Sequence, residues 1–180
     1  VTGARKEIDR GRAVTGYAVG SRRLYDALAA GAPVDFRPAN YTHGVDVLSR
    51  IENLRAINTV IEVDLYGQAS AEMIGGRLVS GTGGLADFVR GARLAPGGRS
   101  ILALLSTASR GTVSRIVPTF PAGTVASVLR GDADYVVTEH GVAELRDRSV
   151  EERSRALIGV AAHEFREGLA AAWAALPANG

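Results

Sequence analysis

Apolar residues fall along this chain in two rhythms. Short runs rich in Val and Ile, without helical spacing, read as strands at 13–19, 33–36, 54–65, 100–106 and 135–138, the long one breaking near Asn58. The unbroken run at 100–106 predicts a strand covered on both faces. Pro118 and Pro121 cannot donate to a ladder, so 116–120 reads as an edge strand. A further strand or hairpin arm leads to Leu78 and Val79.

Helical spacing fills the gaps. Leu24, Tyr25 and Leu28 share a face after Gly20-Ser21, with Gly31 as a stop. Val45, Leu48 and Ile51 form a second set. Leu85, Phe88 and Val89 form a third, in a helix that ends near Gly91. A short helix is expected from Gly141 to Leu145. Ser149 with Glu152 three residues on is a capping box, and its helix buries Val150, Leu157, Ile158, Val160 and Ala161. A last helix over 164–175 buries Phe165, Leu169 and Trp173. Residues 38–44 read as a loop, and 67–70 and 96–98 as turns. Residues 1–13 read as a polar lead-in, and fraying is expected after Pro177. Strands alternating with helices predict one α/β domain over 1–180, with a mainly parallel or mixed sheet flanked by helices. Ligands of such sheets sit at the carboxyl ends of strands.

Composition narrows the function classes. With 180 residues, 46% hydrophobic and 22% charged, the chain suits a globular domain with a sizeable core. A net charge of +2 calls for neither nucleic acid nor an anionic membrane as partner. The chain has no Cys, which excludes disulfides, thiolate nucleophiles and Cys-bound metal. His43, His140 and His163 lack ligand spacing, so no metal site is expected. No run is apolar enough to read as a membrane span, and no signal peptide is seen, which together favour the cytosol. The chain starts at Val1 and its one Met is Met73, so it reads as a piece of a longer protein.

The stretch with the most chemistry is Ser80-Gly-Thr-Gly-Gly-Leu-Ala-Asp-Phe-Val-Arg90, after the apolar run. Gly81, Gly83 and Gly84 let a ligand approach bare backbone. A glycine turn feeding a helix N-terminus favours an anion or a developing oxyanion. It lacks the last glycine of the dinucleotide fingerprint and the Lys-Ser/Thr of a P-loop. On its own it reads first as a tight strand–helix connection.

Four motifs in order change that weighting. They are Ile57-Asn-Thr-Val-Ile-Glu-Val-Asp-Leu-Tyr-Gly-Gln68, Ser80 to Gly91, Gly111-Thr-Val-Ser-Arg-Ile-Val-Pro118, and Asp134-Tyr-Val-Val-Thr-Glu-His-Gly-Val-Ala-Glu-Leu-Arg146. Together they closely resemble the C-terminal domain of the acetyl-CoA hydrolase/CoA-transferase family, which includes 4-hydroxybutyrate CoA-transferases. The resemblance implies coenzyme A bound as substrate thioester, an acyl-CoA and a small carboxylate as partners, no metal, and a homo-oligomer at full length. It implies nucleophilic catalysis by a Glu, through an acyl-glutamyl anhydride and a glutamyl-CoA thioester. That Glu belongs to a motif upstream of Val1, so the missing N-terminal domain is a further expected partner and this chain alone is expected to be inactive. An acyl-CoA hydrolase and a non-catalytic CoA-binding module stay open as alternatives.

The resemblance also nominates residues. Gly84 matches the glycine whose N–H helps to form the oxyanion hole, with Gly83 beside it. Asn40 matches a polar active-site position, and reads equally as an Asx turn. Glu139 matches a glutamate near the nucleophile, with His140 lining the pocket. Its ordinary reading is a carboxylate at a helix N-terminus. Arg110, Gly111, Ser114 and Arg115 match a loop along CoA, where guanidinium groups suit phosphates, and otherwise read as solvated surface.

Overall fold

A computed structural model describes residues 5–176. The expected fraying after Pro177 and the start of the polar lead-in fall outside them. A parallel unit opens the described chain: β1 (Ala13–Thr15), α1 (Arg22–Ala29) and β2 (Val34–Phe36), with β1 paired to β2. Two single-turn helices follow, α2 (Ala39–Thr42) and α3 (Val45–Leu48). Then come β3 (Arg55–Thr59), β4 (Glu62–Asp64), β5 (Ala69–Ser70) and the hairpin β6 (Met73–Ile74) and β7 (Arg77–Leu78). The glycine loop leads into α4 (Leu85–Leu94) and β8 (Arg99–Ala103). A hairpin of β9 (Thr107–Ala108) and β10 (Val113–Ser114) precedes β11 (Ile116–Val117). The chain ends in β12 (Tyr135–Thr138), β13 (Gly141–Glu144), α5 (Val150–Gly159) and α6 (His163–Ala174).

The main sheet has the order β13-β12-β8-β3. β3, β8 and β12 are parallel and β13 is antiparallel, so the α/β class holds with a mixed sheet. One face of that sheet carries Leu102, Val136 and Ala143 into a core shared with Leu85, Val89, Leu157 and Val160. A second sheet, β11-β4-β5, adds Val63, Ala69 and Ile116 to the same core.

The break expected near Asn58 falls at Val60-Ile61, where the run 54–65 passes from one sheet to another. The Val60 N–H still donates to Ala103 next to β3, whereas the Ile61 N–H donates to Ser70 of β5, so the partner changes between adjacent residues. The residue pattern signals the break, and the change of sheet is set by the partner strands. Other expectations need correction. Residues 39–42 form a helical turn instead of a loop, started by Pro38 at its N-cap. Residues 141–144 pair with β12 as a strand instead of opening a helix, because a two-residue turn at Glu139-His140 folds the chain straight back. The run at 100–106 is a strand only over 99–103, and its burial alternates, so one face alone is covered.

The helix after the glycine loop also runs three residues past Gly91. Gly91 does not stop it; a Cβ there would overlap the Leu48 side chain, so the glycine lets α3 and α4 come close. The capping box at Ser149 and Glu152 is formed as read.

Candidate active site

β3, β8 and β12 end on the same edge of the main sheet, with Thr59, Ala103 and Val137 in one row. Two strand spacings separate the β3 end from the β12 end, about 10 Å. Each end carries polar groups, and the sequence places them there for different reasons.

At the β3 end the glycine loop closes over the sheet. Gly84 is the N-cap of α4, and the Leu85 N–H donates to Thr82. Gly83 has φ +52°, a left-handed backbone with open space where a Cβ would stand. Gly84 has φ −86°, which any residue adopts; its constraint is steric, because a Cβ would overlap the imidazole of His43. The His43 ring therefore lies directly on the loop backbone. Its Nδ1 shares a hydrogen bond with Thr42 Oγ1 at 2.8 Å, and its edge meets Phe88 with ring centroids 5.2 Å apart.

Two cavities open on either side of this contact. One, of about 350 Å³, is lined by His43, Asn58, Thr59, Thr82 and Gly84 among others. The other, of about 460 Å³, is lined by Asn40, His43, Gly83, Gly84 and Asp87 among others. The structure thus brings Asn40, Gly83 and Gly84 together, as a group with His43 between the two cavities. Asn58 adds a buried Nδ2 without a hydrogen-bond partner among the described residues. N-cap N–H groups, imidazole and carboxamide are all donors, so the arrangement suits an oxygen bearing negative charge.

At the β12 end Glu139 sits in the hairpin turn. Its carboxylate accepts the Ser106 N–H at 2.8 Å and the Ser106 hydroxyl at 2.7 Å. His140 Nε2 is 3.8 Å away. Partial burial pushes the Glu139 carboxyl up, but the two Ser106 bonds, its own backbone N–H and His140 outweigh it, and the net shift is down. Glu139 is therefore held ionised and aimed by Ser106, which is itself fully buried. The helix-N-terminus reading of Glu139 falls with the helix. Thr138 fixes the turn by donating to Val160 at 2.6 Å while accepting the His140 N–H. The His140 and His163 rings meet edge to face, with centroids 5.3 Å apart. Neither Glu139 nor His140 lines the two glycine-loop cavities.

The nominated arginine segment divides. Ser109, Arg110 and Gly111 all have positive φ, at +49°, +57° and +90°, in a turn held by the β9–β10 pairing, and Arg110 is exposed. Arg115 donates from Nη1 to the Ile61 carbonyl at 2.8 Å, bracing the handover between sheets. Ser114 Oγ donates to the Ile116 carbonyl at 2.7 Å. Arg110 is exposed and Gly111 half-buried in that turn, whereas Ser114 and Arg115 are engaged with their own backbone surroundings. Among the described residues no cluster of three or more His, Asp or Glu could hold a metal ion, and no helix is long and apolar enough to cross a membrane.

Sequence reasoning missed His43, Asn58 and Ser106. The sequence presents His43 only as a possible metal ligand; its contact with Gly84 is made by the fold and carries no local signal. Ser106 ends an apolar run, a position where a polar residue points to the strand-end crevice. Asn58 had no signal beyond being polar inside a strand.

Residues 20–173 match the family described as the acetyl-CoA hydrolase/transferase C-terminal domain. The chain belongs to this family. It is 39% identical over 169 residues to 4-hydroxybutyrate coenzyme A transferase of Clostridium kluyveri, covering 94% of this chain and 39% of that protein. It is 43% identical over 172 residues to butyryl-CoA:acetate CoA-transferase of Anaerostipes caccae, with the same two coverages. Among solved structures, RipA from Yersinia pestis superposes with a TM-score of 0.88 at 38% identity, over 96% of this chain and 39% of that one. The chain therefore spans about two fifths of the length of these relatives.

Proposed function

We propose that this chain is the CoA- and acyl-binding C-terminal portion of an enzyme that moves CoA between an acyl-CoA and a small carboxylate. The observation that carries the reading is the glycine loop. At the end of parallel strands, Gly83 and Gly84 open an N-terminal helix turn onto cavities that also present Asn40, His43 and Asn58. Attack on a thioester carbonyl puts negative charge on its oxygen, and donors fixed in advance around that oxygen lower the barrier.

In this reading a glutamate supplied by polypeptide outside the chain attacks the acyl-CoA carbonyl. A C–O bond forms, the C–S bond breaks, and CoA leaves as thiolate. The thiolate then attacks the glutamyl carbonyl of the anhydride and releases the acyl group as carboxylate, leaving glutamyl-CoA. The acceptor carboxylate reverses the two steps. Gly84 N–H, with Asn58 and His43 near it, holds each oxyanion. Glu139, kept ionised by Ser106, positions neighbouring polar groups without forming the covalent bond. Arg110, in its exposed turn, meets phosphate of CoA.

Calorimetry of the chain with CoA and with dephospho-CoA tests the binding half. CoA is expected to bind weakly, and dephospho-CoA more weakly still. No heat with either, at protein near millimolar, rejects a preformed site. Turnover of acetyl-CoA with a carboxylate by the purified chain alone, above a no-protein control, rejects an external nucleophile.

A further inference from the structure

Parallel strands are normally covered on both faces. Here β3, β8 and β12 are covered on one. The opposite face carries Val142, Val137, Ala103 and Thr59 in one row and Glu144, Tyr135, Ile101 and Ile57 in the next. Ile57 is 68% exposed and Val142 61% exposed. Arg55 and Arg99 extend the face at one end, so an apolar centre has a charged rim. We propose that this face is the seat of one amphipathic helix, supplied by polypeptide of the same gene product outside residues 5–176.

The connections within the chain leave that role open. Between β3 and β8 the crossover helix α4 packs its Leu85 and Val89 into the core on the covered face. Between β8 and β12 the chain contributes the short strands β9, β10 and β11, and no α-helix. After β13, α5 also adds Leu157 to the core side.

Size decides between occupants. Four strands spaced by about 4.8 Å, and three rows of side chains along β8, make a face of roughly 14 by 13 Å between outermost Cα rows. That footprint of about 190 Å² is far below the ~800 Å² per partner of a stable interface between separate molecules. It matches a helix of about three turns, ~16 Å long and 10–12 Å across. A tethered helix needs little area because its effective concentration is high. The relatives have more than half of their length outside the matched segment, since this chain covers 39% of them.

The absence of Cys in the chain gives a clean probe. Ile57→Cys and Val142→Cys, with Arg22→Cys as an exposed control, are labelled by a thiol reagent and read peptide by peptide by mass spectrometry. Each is made in the 180-residue chain and in the full gene product. Labelling at 57 and 142 is expected to slow at least tenfold in the full gene product, with position 22 unchanged. Binding of an apolar fluorescent dye by the unsubstituted chain, expected to fall in the full gene product, controls for misfolded variants. Equal labelling rates and equal dye binding in both overturn the proposal. So does protection in the isolated chain that rises with its concentration, because a second copy would then be the cover. Neither readout involves CoA or turnover, so the result stands apart from the proposed function.

Discussion

Gly83 and Gly84 are adjacent, and the structure gives them different reasons to be glycine. Replacing Gly84 by Ala isolates the steric one. With φ at −86° the new residue meets no backbone strain. Limiting the unfolded chain would by itself stabilise by about 0.4–1 kcal/mol, and Ala in place of Gly at an N-cap loses a few tenths to about 1 kcal/mol. Those two effects roughly cancel. What remains is the overlap of the new Cβ with the His43 ring. His43 is held by Thr42 on one side and by Phe88 on the other, so it cannot simply swing away. Forcing a methyl into such a contact costs about 1–3 kcal/mol. The expected net is a loss of about 1–3 kcal/mol.

A double-mutant cycle assigns the cause. His43→Ala removes the ring, so Gly84→Ala should then be nearly neutral, with a coupling of at least about 1 kcal/mol. Urea unfolding of the four proteins, with the slope compared to check that the transition stays two-state, measures it. Gly83→Ala in the same assay should cost about 1 kcal/mol whether or not His43 is present, because its penalty is the left-handed backbone. Additive Gly84 and His43 effects would refute the contact. An equal dependence of Gly83→Ala on His43 would refute the separation of the two roles.

Other expectations follow from single contacts. Ser106→Ala should raise the Glu139 carboxyl toward its ordinary value of 4.5, followed by NMR titration, because its hydroxyl bond is lost. Glu139 and Glu152 both have lowered folded-state values, so their stabilisation is present above the ordinary glutamate range and is lost as pH falls through those values; Glu139→Gln should flatten part of the acid limb of stability against pH. Burial raises Asp64 despite the bonds from Gln68, Tyr66 and Gly67, so its contribution runs the other way and falls as pH rises. Asp64→Ala should cost on the order of 3 kcal/mol in urea unfolding, because it orphans the Tyr66 and Gln68 N–H groups at a buried turn. Ser149→Ala should cost about 1 kcal/mol through the capping box.

Much of this was legible in the residues, for local reasons. The capping box, the Tyr135–Thr138 strand and the glycine loop before α4 are all decided within about five residues. The misreadings are long-range. Whether Gly141–Glu144 is a helix or a strand depends on β12 being there to pair with it. The break near Asn58 was legible, but the change of sheet after Thr59 depends on β5 taking over from β8. The site divides the same way. Gly84 and Asn40 carried signals in their own motifs, and the four ordered motifs pointed to the family. His43 and Asn58 acquire their significance only from what lies opposite them, whereas Ser106 is marked by its place at the end of an apolar run.

The handover between sheets is also what opens the site. If 54–65 were one continuous strand, β3 would run on past Ala103 and fill the edge above β8. Instead the chain turns away at Val60 and Ile61, and Arg115 braces that turn through the Ile61 carbonyl. β8 stops at Ala103 and its chain passes through Ser106, whose N–H and hydroxyl both reach Glu139 on the neighbouring hairpin. The glycine loop is thereby left over the end of β3, and Glu139 over the end of β12, with the end of β8 between them. The strand ends that carry the glycine loop and Glu139 lie two strand spacings apart, about 10 Å. The arrangement needs a rigid edge, which the parallel register of β3, β8 and β12 supplies. Each polar group is also held by a neighbour: His43 by Thr42, Glu139 by Ser106, and the turn that carries Glu139 by Thr138.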